Sequence, residues 1–160
     1  ELATATAAKL PVIRHLAQWV ERSGLRFERL VDLDPTSPLR DIADIEACLA
    51  LLDAGTDVVI TGYEADKNPY FNMVEEKPDG TVGLVKTVAG GVVARQLAPR
   101  VYAMNASVYV WHAHTLSMGL WDGRIRLHAM PRERSVDIDS EIDFRLVELL
   151  MQDRLARHAL

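Results

Sequence analysis

Apolar residues recur at Val12, Ile13, Leu16, Trp19 and Val20, the spacing of one helical face, so residues 10–23 predict a helix. Gly24 supplies its C-terminal stop, and Pro11 is tolerable only because it lies near the helix start. Residues 27–33 form a short strand-like run closed by Asp34-Pro35-Thr36-Ser37-Pro38, where two prolines exclude regular structure. Asp41 reads as the N-cap of a helix over 42–52 that ends by Gly55. Residues 58–61 are a continuous apolar run of the kind buried on both faces. The alternation of helix and strand predicts an α/β fold with a mixed, mostly parallel sheet and flanking helices.

Residues 66–100 break this rhythm. Runs at 71–74 and 81–85 flank Lys77-Pro78-Asp79-Gly80, a strong hairpin-turn signal. An excursion of this kind suits dimerisation or substrate covering, since its strands would otherwise be exposed edges. The alternating pattern then predicts a strand over 101–111, a short helix over 115–119 and a strand over 124–130. A final amphipathic helix follows over 141–155, carrying Ile142, Leu146, Leu149 and Leu150. Residues 1–160 read as a single α/β domain without internal repeats.

With 49% hydrophobic and 26% charged residues, the composition is that of a globular chain. A net charge of -5 leaves no basic face, which argues against nucleic acid as a partner. Cys48, the single cysteine, lies in an apolar run and excludes an intrachain disulfide or thiolate cluster. No apolar stretch approaches the roughly 20 residues of a membrane helix, and no secretion signal opens the chain. The expectation is a soluble, cytoplasmic protein with no membrane partner.

Three segments carry candidate chemistry. In Ser135-Val136-Asp137-Ile138-Asp139, two carboxylates at alternate positions of extended backbone point the same way and can approach one cation. Hard oxygen ligands favour Mg2+ or Mn2+. Spacing alone leaves a second reading open, in which Asp139 or Ser140 caps the final helix and Glu141 and Asp143 favour its positive end. In the second segment, Thr36 and Ser37 offer hydroxyls and Arg40 a guanidinium at the C-terminal end of a strand, beside Asp34. An ordinary proline-rich turn remains the alternative. The third pairs Arg95-Gln96, an arginine able to grip a carboxylate with two hydrogen bonds, with Asn105, whose amide either meets a ligand or is satisfied by backbone at a bulge. His112-Ala113-His114 shares a strand face but lacks a third ligand nearby, and His15 and His158 read as solvated. Nothing in the chain has the pattern of an activated nucleophile.

Four segments together resemble the acylneuraminate (CMP-sialic acid) cytidylyltransferase family, in the same order and at similar spacing. They are Glu1-Leu2-Ala3-Thr4-Ala5-Thr6, residues 33–40, Arg95-Gln96 through Asn105-Ala106-Ser107-Val108-Tyr109, and residues 135–143. The corresponding family motifs are E-L-A-x-D-T, L-x-P-T-S-P-L-R, R-Q…N-G-A-I-Y and S-x-D-I-D-x-x-x-D. The resemblance implies a Rossmann-like nucleotide-diphospho-sugar transferase fold and a homodimer whose hairpin region reaches the partner's active site. It implies that Asp137 and Asp139 hold magnesium at the triphosphate, that Arg95 binds the sugar-acid carboxylate across the dimer interface, and that Asn105 lies close to the sugar. The implied reaction transfers CMP from CTP to a sialic-acid-like nonulosonic acid and releases pyrophosphate.

The sequence departs from that pattern at several points. Phe71 stands about where sialic-acid enzymes can place a lysine, and Asp34 replaces a glutamine; both resemble relatives that handle legionaminic or pseudaminic acid. Asp34 is then a candidate contact to a substrate amine or a further metal ligand, against the plainer reading of a turn aspartate. Ala5 takes the place of an aspartate. The family's opening strand and glycine- and lysine-containing CTP loop have no counterpart in residues 1–160. This predicts that the chain lacks the N-terminal CTP-binding segment and does not complete the reaction alone. The alternative function is a non-catalytic dimerisation or sugar-binding module.

Overall fold

The computed structural model describes residue 4 and residues 8–158. In chain order the elements are α1 (Lys9–Arg22), β1 (Arg29–Leu33), α2 (Ile42–Leu51), β2 (Val58–Glu64), β3 (Val74–Glu76), β4 (Val82–Leu84), β5 (Tyr102–His112), β6 (Ile125–Ala129) and α3 (Glu141–His158). Short 3-10 turns occupy Arg95–Leu97, Ala113–Thr115 and Arg132–Arg134. No helix among the described residues is long and apolar enough to cross a membrane. The chain divides into two compact units, one of Glu1–Gly62 with Met104–Leu160 and one of Tyr63–Ala103.

The first unit is built on a four-stranded sheet in the order β1-β5-β2-β6. β2 and β6 run parallel, in register from Val58 opposite Ile125 to Gly62 opposite Ala129. β1 runs antiparallel to β5, from Arg29 opposite His112 to Leu33 opposite Val108. The sheet is therefore mixed, with less parallel character than the helix–strand rhythm suggests. That rhythm reports connections along the chain, and here β5 inserts between β1 and β2 instead of leaving them as neighbours.

Both faces of the sheet are covered. Val58, Ile60, Tyr109 and Trp111 pack with Ile13 and Ala17 of α1 and with Leu116. Val59, Val108 and Val110 face the other way, against Cys48 and Leu52. Burial on both faces explains the unbroken apolar run of β2. It also pushes the Cys48 thiol up to about 12, which leaves it protonated and unreactive at neutral pH.

The expected helix over 115–119 is replaced by the 3-10 turn Ala113–Thr115. The carbonyls of Leu116, Ser117 and Met118 accept hydrogen bonds from the Arg14 guanidinium at 2.6, 2.9 and 2.7 Å, so they are not spent on a helical ladder.

In the second unit β3 and β4 form an antiparallel hairpin, Val74 opposite Leu84 and Glu76 opposite Val82. Gly80, at φ 79°, donates its N–H to Lys77 O, and Lys77 N–H donates to Thr81 O, a turn followed by a left-handed residue. β3 starts three residues later than the apolar run suggests, because the N–H groups of Phe71, Asn72 and Met73 all turn back to Asn68 O.

Candidate functional site

The loop after β1 is shaped by its own polar groups. Asp34 Oδ1 accepts hydrogen bonds from Thr36 N–H (3.3 Å) and Thr36 Oγ1 (2.8 Å), closing a local turn that the prolines permit. Arg40 Nη1 donates to the carbonyls of Asp34 (2.6 Å), Ser37 (2.7 Å) and Ser107 (3.4 Å). Its guanidinium thus braces the loop from within. Ser37 is fully buried, and its hydroxyl donates to Asn105 O at 3.0 Å.

The segment 135–139 lies against this loop. Ile138 N–H donates to Thr36 O at 2.9 Å, and Asp137 Oδ1 lies 3.5 Å from Ser37 Oγ. Asp34, Thr36, Ser37, Arg40, Asn105 and Asp137 are therefore brought together from loop, strand and pre-helix segment. Asp139 follows Asp137 on the same stretch and is exposed.

The cap of α3 is made by other residues. Ser140 O accepts from Phe144 N–H at 3.0 Å, Ser140 Oγ accepts from Asp143 N–H at 3.4 Å, and Ser140 Oγ–H donates to Asp143 Oδ2 at 2.6 Å. This hydroxyl, together with backbone N–H groups, holds the Asp143 carboxyl below its ordinary pKa. Ser140 and Asp143 thus fill the capping role, and among the described residues no basic side chain pairs with Asp137 or Asp139.

Asn105 is used inwardly. Its Nδ2 lies 3.3 Å from Met130 Sδ, and its Oδ1 accepts from Ser107 N–H at 3.3 Å. Ala106 between them sits at φ 51°, a left-handed conformation where the family motif has glycine. Ser107 Oγ beyond it is buried with no hydrogen-bond partner among the described residues.

Arg95 and Gln96 lie in the second unit, exposed on a 3-10 turn. With Glu64, Asn68 and Arg100 they line a cleft of about 400 Å³. Arg95 makes one long hydrogen bond, Nη2 to Ala65 O at 3.4 Å.

Several charged residues at the site escaped the sequence reading. Lys9 Nζ lies 2.7 Å from Asp32 Oδ2 and 3.1 Å from Asp34 Oδ2, and 4.5 Å from the centre of the Tyr109 ring. Burial works against the Lys9 ammonium, but Asp32 and Asp34 outweigh it and raise its pKa. Burial likewise pushes Asp34 up, while Thr36 and Lys9 hold it below the ordinary carboxylate value. Asp44, only 1% exposed, accepts from Arg134 Nη2 at 2.8 Å, Arg134 Nε at 3.1 Å and Asp41 N–H at 2.8 Å, with His128 Nε2 at 3.1 Å. The spacing Asp41-x-x-Asp44 at the start of α2 was the one available signal, as a capping box.

The His112 and His114 rings stack 5.1 Å apart, and His112 Nε2 contacts Asp53 O at 3.2 Å. No three His, Cys, Asp or Glu side chains converge as a metal set among the described residues. His15 is exposed on α1, and the His158 side chain lies outside the described residues, as does the segment resembling E-L-A-x-D-T apart from Thr4.

No protein-family model matches the chain. It is 38% identical over 157 residues to the post-translational flagellin modification protein B of Campylobacter coli, covering 96% of this chain and 66% of the relative. It is 38% identical over 154 residues to a CMP-N,N'-diacetyllegionaminic acid synthase of Campylobacter jejuni, covering 94% of this chain and 64% of the relative. The chain thus spans a little under two thirds of the length of these curated relatives. The crystal structure of a 4-diphosphocytidyl-2C-methyl-D-erythritol synthase from Anaerococcus prevotii superposes with a TM-score of 0.57 at 12% identity, over 87% of this chain and 66% of that one, a likeness of fold. With four motifs in order along the sequence and these two relatives alongside, the chain belongs to the acylneuraminate cytidylyltransferase family.

Proposed function

We propose that the protein transfers CMP from CTP to a sialic-acid-like nonulosonic acid and releases pyrophosphate. The observation that carries this reading is the seating of Asp137 beside Ser37, on a segment hydrogen-bonded to Thr36, while the helix cap is left to Ser140 and Asp143. Both aspartates keep a carboxylate for a cation. Mg2+ is usually held by one or two protein carboxylates together with substrate phosphates and water, so this donor set suits it, or Mn2+. Bound there by Asp137 and Asp139, the cation would neutralise phosphate charge.

In this reading the sugar's anomeric hydroxyl attacks the α-phosphorus in line as the bond to pyrophosphate breaks, and the protein contributes mostly positioning and charge. Thr36 presents its half-buried edge, while Ser37 and Arg40 hold the loop in shape. Arg95 and Gln96, in the cleft of the second unit, bind the sugar-acid carboxylate. The exposed Val74, Val82 and Leu84 of the β3–β4 hairpin favour coverage by a second copy in a homodimer.

The test is pyrophosphate release from CTP by residues 1–160 joined to a CTP-binding segment of the kind the family carries, with Mg2+ and a panel of nonulosonic acids; residues 1–160 alone should show no turnover. Asp137→Asn with Asp139→Asn should abolish turnover and leave the fold intact by circular dichroism. Turnover retained in that variant would remove the metal assignment. The joined wild-type protein inactive with every nonulosonic acid, yet folded, would remove the reaction.

A further inference from the structure

We propose that Asp44 is a positioning residue, a buried carboxylate that ties together the two segments forming the cation site. The inference rests on the reading of Asp137 and Asp139 as cation ligands. Asp44 touches neither. Arg134, which grips it with two nitrogens at 2.8 and 3.1 Å, ends the 3-10 turn that leads directly into 135–139. That turn is itself fixed, since Ser135 N–H donates to Arg132 O at 3.0 Å and Ser135 Oγ to Pro131 O at 2.8 Å. On its other side, Asp44 Oδ2 accepts the N–H of Asp41 at 2.8 Å, where the 34–40 loop passes into α2. His128 Nε2, 3.1 Å away, adds β6 to the same point.

Asp44 therefore anchors both the exit of the Thr36–Ser37 loop and the entry of the Asp137 segment, with Asp41 Oδ2 as a second, longer contact to Arg134 Nε at 3.3 Å. Between these anchors the two segments meet through Ile138 N–H to Thr36 O and through Ser37 and Asp137. Weakening the hold on Arg134 loosens the entry of the acidic segment and leaves the separation of Asp137 from the loop to the Ile138–Thr36 and Ser37–Asp137 contacts alone. Groups that orient metal ligands without touching the metal typically change its affinity by 10–100-fold.

Two variants and two readouts test this. Asp44→Asn keeps the size and removes the charge; Arg134→Lys keeps the charge and removes the fork. Mn2+ binding is read from the loss of the free-ion paramagnetic resonance signal, and exchange of the Ile138 amide from hydrogen-exchange mass spectrometry or NMR. In both variants the Mn2+ dissociation constant should rise by about 10-fold. Ile138 exchange should quicken while amides of β2 and β5 keep their wild-type rates. Wild-type Mn2+ affinity and Ile138 exchange in both variants overturn the proposal. A uniform acceleration across Ile138, β2 and β5 overturns it too, because Asp44 would then serve global stability alone. Should Asp44→Asn fail to fold, Arg134→Lys decides by the same criteria. Absence of Mn2+ binding by wild-type protein would sink the metal reading itself, and Ile138 exchange would still decide the brace.

Discussion

Asp139→Asn and Ser140→Ala, made separately, distinguish a cation site from an acidic helix end. Ser140 Oγ accepts Asp143 N–H at 3.4 Å and donates to Asp143 Oδ2 at 2.6 Å. Replacing an N-cap serine by alanine costs about 0.5–2 kcal/mol, and this long, exposed N–H bond belongs at the lower end, about 0.5–1 kcal/mol. For a chain of this size that lowers the melting temperature by about 1–4 °C. The Asp139 side chain makes no cap bond, so its neutralisation loses only part of a helix-dipole interaction, a few tenths of a kcal/mol that salt screens. The order reverses for metal. Asp139→Asn should weaken Mn2+ binding about 10-fold or more, whereas Ser140→Ala should leave it unchanged. Differential scanning fluorimetry and Mn2+ titration on the same samples give both numbers. If Asp139→Asn melts as low as Ser140→Ala and binds Mn2+ normally, the carboxylate is a helix-end group and the reasoning fails.

Two further outcomes follow from the geometry. Ala106→Gly should stabilise the protein by about 0.5–1 kcal/mol in urea unfolding, because relieving a non-glycine left-handed residue gains about 1–2 kcal/mol and the added freedom of the unfolded chain returns part of it; no gain would mean that Ala106 is unstrained. Asp34 and Asp44 both have folded pKa values held below their ordinary ones against the opposing effect of burial, by Thr36 and Lys9 in the first case and by Arg134 and His128 in the second. Their stabilisation is present above the unfolded pKa and is lost as pH falls through the folded value, so the urea midpoint should drop below about pH 4 and Asp34→Asn should flatten that decline; an identical acid limb in the variant would refute Asp34's share.

Much of the architecture was legible because side-chain periodicity reports which face is buried. The span of α1, the two-sided apolar run of β2 and the Lys77-Pro78-Asp79-Gly80 turn are properties of neighbouring residues, and each lies close to where its spacing put it. Within α1, however, Ile13 and Ala17 are buried while Val12, Leu16 and Trp19 of the apolar stripe are exposed. The motifs at 33–40 and 135–143 were legible as family signatures. Partner choice was not. β1 chose β5, some 70 residues on, and no local pattern encodes the direction of such a pairing. Arg14 captured three carbonyls that could otherwise have belonged to a helix. The site divided in the same way. The sequence named the acidic pair, but which residue caps α3 depended on where a hydroxyl fell relative to one N–H. That Asp44 joins two segments about 90 residues apart is a contact only the folded chain makes, because it is set by long-range packing and not by spacing.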